Sequence, residues 1–431
     1  MSTFAQLQSG KMGISLKNSF VKNLATLLAG TTIAQAIPVL ISPLLSRVYT
    51  PEDFGVLAFF MAILSVGGVL ATLRYELAIM VAPNEEEASQ FWIASLIIAL
   101  LIGGVVLLGI SGSYPWISEM ETFHVLFFIL PILVALKGLF NASNLWLTRR
   151  EEYKRVATAK VTQTTVNSGS SLLFGIMQMG PAGLLLGTFL GQCSSALMLG
   201  VRSWKQASLL KKVWERSRVL QLLKKHSDFP KVNSLHVLVD TLQDQVTVIL
   251  LTTFFASPVL GLYSFAFRVL KTPVSMIGSA MYQVFFQQSN DRSKEQIAPM
   301  IKKIYTIQFA IGAPGFALLF FIAPDVFAFV FGEEWREAGT ITQALIPWLF
   351  LNFMAAPVSS VAITFNKQKK GLYFAIVNIV LRTASICVGA YYHDYLLGFW
   401  CMSISSSLVL LYALYWYYMT SKNSNRVAEQ D

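Results

Sequence analysis

The chain has 431 residues, of which 55% are hydrophobic and only 13% charged, with a net charge of +10. Soluble domains carry about 25% charged residues, so this composition excludes an ordinary soluble protein and marks an integral membrane one. The positive charge sits in the connections between apolar runs, which points to membrane orientation and away from nucleic-acid binding.

The first seventeen residues are polar, and the apolar run after them is too long for a signal-peptide core, so no cleavable leader is expected. At about 20 residues per crossing, twelve spans are predicted, roughly 20–46, 54–80, 88–110, 123–147, 156–178, 182–202, 231–256, 259–288, 301–331, 338–365, 371–393 and 396–419. The expected fold is an all-α membrane protein of twelve transmembrane helices. Several spans carry Ser, Thr, Gln or Gly, as in VTQTTVNSGSS at 161–171; such a helix is expected to face other helices or water. Cys193, Cys387 and Cys401 lie in apolar runs at no metal-ligand spacing and read as buried thiols. Trp116, Trp335 and Trp400 fall near predicted helix ends and read as interfacial belt residues.

Loop charges set the predicted orientation. Lys11, Lys17 and Lys22 precede the first span. Arg149, Arg150, Lys154, Arg155 and Lys160 follow the fourth, and Arg292, Lys294, Lys302 and Lys303 the eighth. The positive-inside rule then places both termini in the cytoplasm. One expected cytoplasmic connection, PNEEEASQ at 83–90, is acidic instead. Between the sixth and seventh spans, Arg202 to Lys231 carries nine Lys or Arg and reads as a cytoplasmic strap. Leu210, Val213, Trp214, Leu220 and Leu223 recur there near helical spacing, as in an amphipathic surface helix. The expected organisation is a six-helix lobe over 1–202, a basic linker over 203–230 and a second six-helix lobe over 231–431. Pro51 with Gly55-Val56-Leu57-Ala58-Phe59, and Pro258 with Gly261-Leu262-Tyr263-Ser264-Phe265, open the second span of each half. This hints at two repeats related by an axis along the membrane normal.

The stretch 42–80 carries Leu45-Ser46-Arg47, Thr50-Pro51-Glu52-Asp53-Phe54-Gly55 and Arg74-Tyr75-Glu76. It resembles the opening of the polysaccharide-biosynthesis (Wzx-type, O-antigen) flippases of the multidrug/oligosaccharidyl-lipid/polysaccharide exporter superfamily. The resemblance implies two six-helix bundles around a central cavity. It also implies movement of an undecaprenyl-diphosphate-linked oligosaccharide across the bacterial inner membrane for O-antigen, capsule or exopolysaccharide synthesis. A glycan polymerase and a chain-length regulator are the partners to which it points, beside membrane lipids.

Ionisable residues inside spans are costly and are functional candidates by default. Lys137 lies about 21 Å and Arg382 about 17 Å into their helices, with no partner evident in the sequence. Together with Arg268 and Lys271 they are expected to line a wet cationic cavity that attracts a lipid diphosphate. Arg74, with Glu76, falls near the cytoplasmic end of its span, where snorkelling and a cavity position are both open; Arg74 is retained as a candidate. Arg47 is expected to snorkel or meet Glu52 or Asp53. His236, Asp240 and Asp244 share one helix face at i, i+4 and i+8. They are candidates for coupling to H+ or Na+, or else Asp240 and Asp244 simply pair with Lys271 and Arg268.

No Walker A, HExxH, CxxC or GxSxG motif occurs in the sequence. Neither a catalytic residue, nor a metal, nor a cofactor is therefore expected. The alternative reading is an ion-coupled multidrug exporter of the same superfamily, although cationic drugs favour acidic cavities. A glycosyltransferase or polymerase lacks its expected extramembrane loop, and an assembly scaffold leaves the buried charges without a role.

Overall fold

The computed structural model describes residues 26–27, 29–117, 128–208, 216–291, 296–365 and 367–428. Lys11, Lys17, Lys22, Leu210, Val213, Trp214, Arg292 and Lys294 lie outside the described residues, as do the side chains of Trp116, His236 and Asp244. Helices α1 (Ala29–Leu45), α2 (Pro51–Leu70), α3 (Glu85–Ile117), α4 (Leu130–Arg149), α5 (Tyr153–Ile176) and α6 (Pro181–Ser208) precede the basic strap. The strap holds a short helix, α7 (Arg216–Lys225). Helices α8 (Ser234–Phe254), α9 (Ser257–Asp291), α10 (Ile297–Phe331), α11 (Arg336–Ala355), α12 (Gln368–Tyr391) and α13 (Tyr395–Ala428) follow.

Twelve long helices thus occupy the twelve expected spans, and no strand occurs among the described residues. Eight are by themselves long and apolar enough to cross a bilayer. The other four are shorter, richer in polar side chains or bent; α8 turns by 45° between Val237–Gln243 and Gln245–Phe254.

The second span departs from expectation. Its helix stops at Leu70 instead of running to 80, because Leu73 (φ 48°) and Arg74 (φ 62°) take left-handed backbone conformations. Two consecutive non-glycine residues in that region cost about 1–2 kcal/mol each. The chain then re-forms as a short turn, Tyr75–Leu77, and a single helical turn, Ala78–Val81.

Contacts divide the chain into two units, one of Met1–Pro38 and Ile63–Thr241, the other of Val39–Ala62 and Leu242–Asp431. In the first unit α5 packs along α6, and α4 packs on both α3 and α6. The polar side of α5 faces α6, as its composition foretold. Gln163 donates to Gln192 at 2.8 Å, and Gly187 and Gly191 let α5 approach at Ser171 and Asn167. The core holds Phe91, Trp92, Trp146, Val156 and Leu199. The acidic connection has a local explanation. Glu85 pairs with Arg149 at 3.3 Å and Arg150 at 2.5 Å, so its charge is met by the basic connection beside it. Glu152 likewise meets Arg202 at 2.9 Å and Arg155 at 2.7 Å.

The strap helix α7 docks on this unit. Leu222 is buried, the Tyr75 hydroxyl donates to the Leu223 carbonyl at 3.0 Å, and His226 stands edge-on to Phe91. Leu220, Lys224 and Lys225 remain exposed, so one face grips protein and the other is uncovered.

In the second unit α11 is the central helix, packed by α9, α10 and α13. Prolines within these helices strip carbonyls of their i+4 donor, and in hydrocarbon each such carbonyl needs another. Pro324 frees the Phe320 carbonyl, which accepts from Gln343 at 2.7 Å. At the end of α11 the Phe353 carbonyl, four residues before Pro357 of the following turn, accepts from the buried Gln308 at 2.7 Å.

The segment 39–62 joins this unit through the residues of the sequence motif. Thr50 caps α2, with its backbone N–H and hydroxyl donating to Asp53 at 2.9 and 3.1 Å, and the Asp53 N–H donating back at 3.3 Å. Pro51 fits the first helical turn because its missing N–H has no partner to lose there. Phe54 stands edge-on to both Phe265 and Trp335.

Two expectations are corrected here, and one of the two readings of Arg47 is set aside. Trp335 is fully buried, donating to the Ser46 carbonyl at 3.0 Å, and so is no belt residue. Arg47 donates to the Phe329 carbonyl at 3.3 Å instead of meeting Glu52 or Asp53; the Asp53 carboxylate is occupied by Thr50. The cysteines are free, but none is fully buried and Cys387 is exposed, an apolar thiol on a surface that need not avoid lipid.

Candidate functional site

The charged residues singled out by the sequence fall into separate constellations within the two units. In the first unit Lys137 lies on α4, half-buried, with its stem stretched across the bare backbone of Gly68 on α2. A methyl group on Gly68 would stand 2.4 Å from Cδ, 2.6 Å from Cε and 2.8 Å from Nζ of that lysine. Gly67 and Gly68 together admit α4 closely, Gly67 facing Val134. No carboxylate among the described residues pairs with Lys137.

Arg74 belongs to the break after α2. Its guanidinium reaches Glu76 at 3.3 Å, and Glu76 is only 2% exposed. The second carboxylate oxygen of Glu76 accepts from the Thr72 hydroxyl. The left-handed backbone of Leu73 and Arg74 folds these three side chains onto one another, which a continuous helix would not do. Arg74 is therefore part of a buried ion pair, and only its outer side is free.

In the second unit Lys271 and Arg382 are linked through two aromatic rings. The Lys271 ammonium lies 4.8 Å from the Phe267 ring centroid. Phe267 stacks on Trp348 at 5.7 Å with 7° between planes. The Arg382 guanidinium covers Trp348 at 4.3 Å. Arg382 is 5% exposed and donates to Ser406 at 3.4 Å, and Ser406 donates on to Asn378 at 2.8 Å. The partner not evident in the sequence is thus the face of Trp348. Cation–π contact of this kind is worth about 2 kcal/mol where water is excluded. Arg268 is half-buried one turn before Lys271 and offers its carbonyl to Thr272 at 2.7 Å. The result is a cationic, aromatic-backed face on α9, α11 and α12.

Of the three coupling candidates, Asp240 is exposed on α8. Asp244 marks the 45° bend of α8, and His236 lies one turn before Asp240. Among the described residues no group of three or more His, Cys, Asp or Glu side chains is placed to hold a metal ion.

Sequence reasoning missed Trp348, Phe267, Ser406 and Gly68. Phe267 sits one turn before Lys271, so that pair was legible in the spacing. The others come from distant helices and left no local signal.

Comparison with known proteins follows from this fold. The succinoglycan biosynthesis transport protein ExoT of Rhizobium meliloti (strain 1021) is 23% identical over 362 residues, covering 81% of this chain and 70% of the relative. The lipid II flippase MurJ in an inward closed conformation superposes with a TM-score of 0.69 at 15% identity, over 92% of this chain and 90% of that one. An inward-facing multidrug resistance MATE family transporter of the MOP superfamily gives 0.68 at 16% identity, over 92% and 96%. A MOP superfamily transporter from Pyrococcus furiosus, described by the reverse polarity of its binding pocket, gives 0.62 at 15% identity, over 93% and 96%. These likenesses establish the all-α transporter fold of two six-helix bundles. A family model described as polysaccharide biosynthesis protein matches residues 44–340. The chain, with several helices long and apolar enough to cross a membrane, accordingly belongs to the polysaccharide biosynthesis protein family.

Proposed function

We propose that the protein is a flippase carrying an undecaprenyl-diphosphate-linked oligosaccharide across the bacterial cytoplasmic membrane, for O-antigen, capsule or exopolysaccharide synthesis. Both termini lie in the cytoplasm, and transport proceeds by alternating access. The observation that carries this reading is Lys137, a cation within the apolar part of α4, stretched over Gly68 with no carboxylate of the described residues neutralising it. An uncompensated ammonium in hydrocarbon costs at least about 2.5 kcal/mol, so its retention fits an anionic cargo. Lys271, Arg268 and Arg382 give the second unit further cations, and Arg74, paired with Glu76, would offer only its outer side. A diphosphate offers the charge that such groups hold, Arg through paired donors and Lys as a point charge. The flippase name of one structural neighbour and the polysaccharide transport name of the relative support the same class of cargo. H+ or Na+ coupling would fall to Asp240, Asp244 and His236. A glycan polymerase and a chain-length regulator are the partners that such a step feeds.

The test is deletion of the gene, followed by analysis of surface glycan and of lipid-linked intermediates. Loss of surface polymer with accumulation of lipid-linked repeat units on the cytoplasmic side is expected, reversed by the wild-type gene but not by Lys137→Gln at equal protein level. Full export by the Lys137→Gln variant, or transport of a cationic dye by the purified protein, would overturn the assignment.

A further inference from the structure

A cleft of about 970 Å³ opens in the second unit between α9 and α10, both of which pack on α11. Its walls are apolar: Met281, Phe285, Met300, Ile304 and Ile307. Its polar residues, Gln288, Gln296 and Lys303, gather where α9 ends and α10 begins, and Lys302 is exposed beside them. Depth follows from helix rise. Lys303 is six residues and Ile307 ten residues into α10, about 9 and 15 Å from its start. Met281 is ten residues from the end of α9, again about 15 Å. The lining therefore runs along about 15 Å of each helix.

We infer that this cleft holds an anionic membrane phospholipid, with an acyl chain along the methionine-lined wall and its phosphodiester at Lys303. Three features favour that occupant. The cleft has one cationic, polar mouth and an apolar shaft, which is the charge pattern of a single lipid. Its lining runs along only about 15 Å of helix, whereas a polyprenyl carrier chain is several times longer and would overrun it. Met281 and Met300 are unbranched and adapt to a chain of no fixed shape. Its lining includes none of Lys137, Arg268, Lys271 and Arg382, so the inference stands whether or not the proposed cargo is right.

The test uses the full-length protein in phosphatidylcholine vesicles doped with a phosphatidylglycerol bearing a photoactivatable acyl chain. Adducts are mapped by peptide mass spectrometry. Labelling is expected to concentrate on the peptides of Met281 and Met300. It should exceed that from an equally photoactivatable phosphatidylcholine by about fivefold, the preference one Lys confers at an anionic surface. Lys303→Gln is expected to erase the excess, and Ile304→Trp, which fills the shaft, to erase the labelling itself. If Ile304→Trp does not yield folded protein, the Lys303→Gln comparison decides alone. Equal labelling by the two lipids, labelling indifferent to both substitutions, or displacement of the phospholipid by equimolar polyprenyl diphosphate would overturn the inference.

Discussion

Gly55 and Gly261 press reciprocally on each other's helices. A methyl group on Gly55 would meet the Ser257 carbonyl oxygen at 2.2 Å, and one on Gly261 would meet that of Pro51 at 1.6 Å. Each glycine thus lies over the residue four positions before the other. The contacts run from 55 to 257 and from 51 to 261, so 51 corresponds to 257 and 55 to 261 in the two helix starts, which sets Pro258 one residue out of step with Pro51. Because the obstacle is backbone on both sides, nothing can swing away. Gly55→Ala and Gly261→Ala should each destabilise the folded protein by more than the roughly 1–3 kcal/mol usual for overpacking. Gly104→Ala, with open space around it, is the control. Thermal unfolding in detergent gives the comparison; an unshifted Gly261→Ala would contradict the crossing.

Gly68 tests a different kind of contact. There the obstacle is the end of a flexible lysine, so a methyl group displaces Lys137 and leaves the helices in place. Gly68→Ala should keep near-normal unfolding temperature but lower transport by about tenfold or more, the worth of a charge-assisted contact to a phosphate. Normal transport in Gly68→Ala vesicles would show that the position of the ammonium is immaterial.

Gln343 donates to the Phe320 carbonyl that Pro324 leaves without a helical partner. Gln343→Leu strands that carbonyl away from water and should cost about 1–3 kcal/mol. Pro324→Ala in the same chain restores the missing N–H and should recover most of the loss. A double variant no more stable than Gln343→Leu alone would remove this account of the pair.

Arg74 and Glu76 share a buried ion pair at 3.3 Å, with Thr72 on the other carboxylate oxygen. Removing one member leaves the other charged and dry, which typically costs about 3–5 kcal/mol. Arg74→Ala should therefore destabilise strongly, and Arg74→Ala with Glu76→Gln should destabilise less than Arg74→Ala alone. That non-additivity is read from thermal melts of the four proteins in a double-mutant cycle. Strict additivity would return Arg74 to the role of a free anion ligand.

The twelve helices were legible because hydrophobic length is a local property and each helix satisfies its own backbone. The break after Leu70 was not, since the left-handed residues there are Leu73 and Arg74, with no Gly or Pro to announce them. Trp335 read as interfacial because its helix end is; its burial is fixed by Ser46, Phe54 and Phe265, residues far away in sequence. The charged residues were found by type alone. What holds them, Gly68 for Lys137 and Trp348 for Arg382, depends on helix packing that no spacing encodes. Conversely, Thr50 and Asp53 stood in the sequence three residues apart, and the capping box they form was readable from that interval.

Glu152 gives the fold a dependence on pH. Burial pushes its carboxyl up, but hydrogen bonds from Arg202 and Gln206, with the charges of Arg202 and Arg155, hold it below the ordinary value of 4.5. A carboxyl lowered by folding stabilises the folded state above its unfolded-state value, and that stabilisation disappears as pH falls through the lower folded-state value. Unfolding temperature should thus be insensitive to this group at neutral pH and decline in the acid range below about 4.5. Glu152→Gln should lower it at pH 7, because Arg202 loses its carboxylate partner at 2.9 Å, and should flatten the acid limb. The wild-type and variant curves should converge as the solution becomes acid enough to protonate the wild-type carboxyl. Curves that stay parallel down to pH 3 would mean that the connection between α4 and α5 does not draw its stability from this charge.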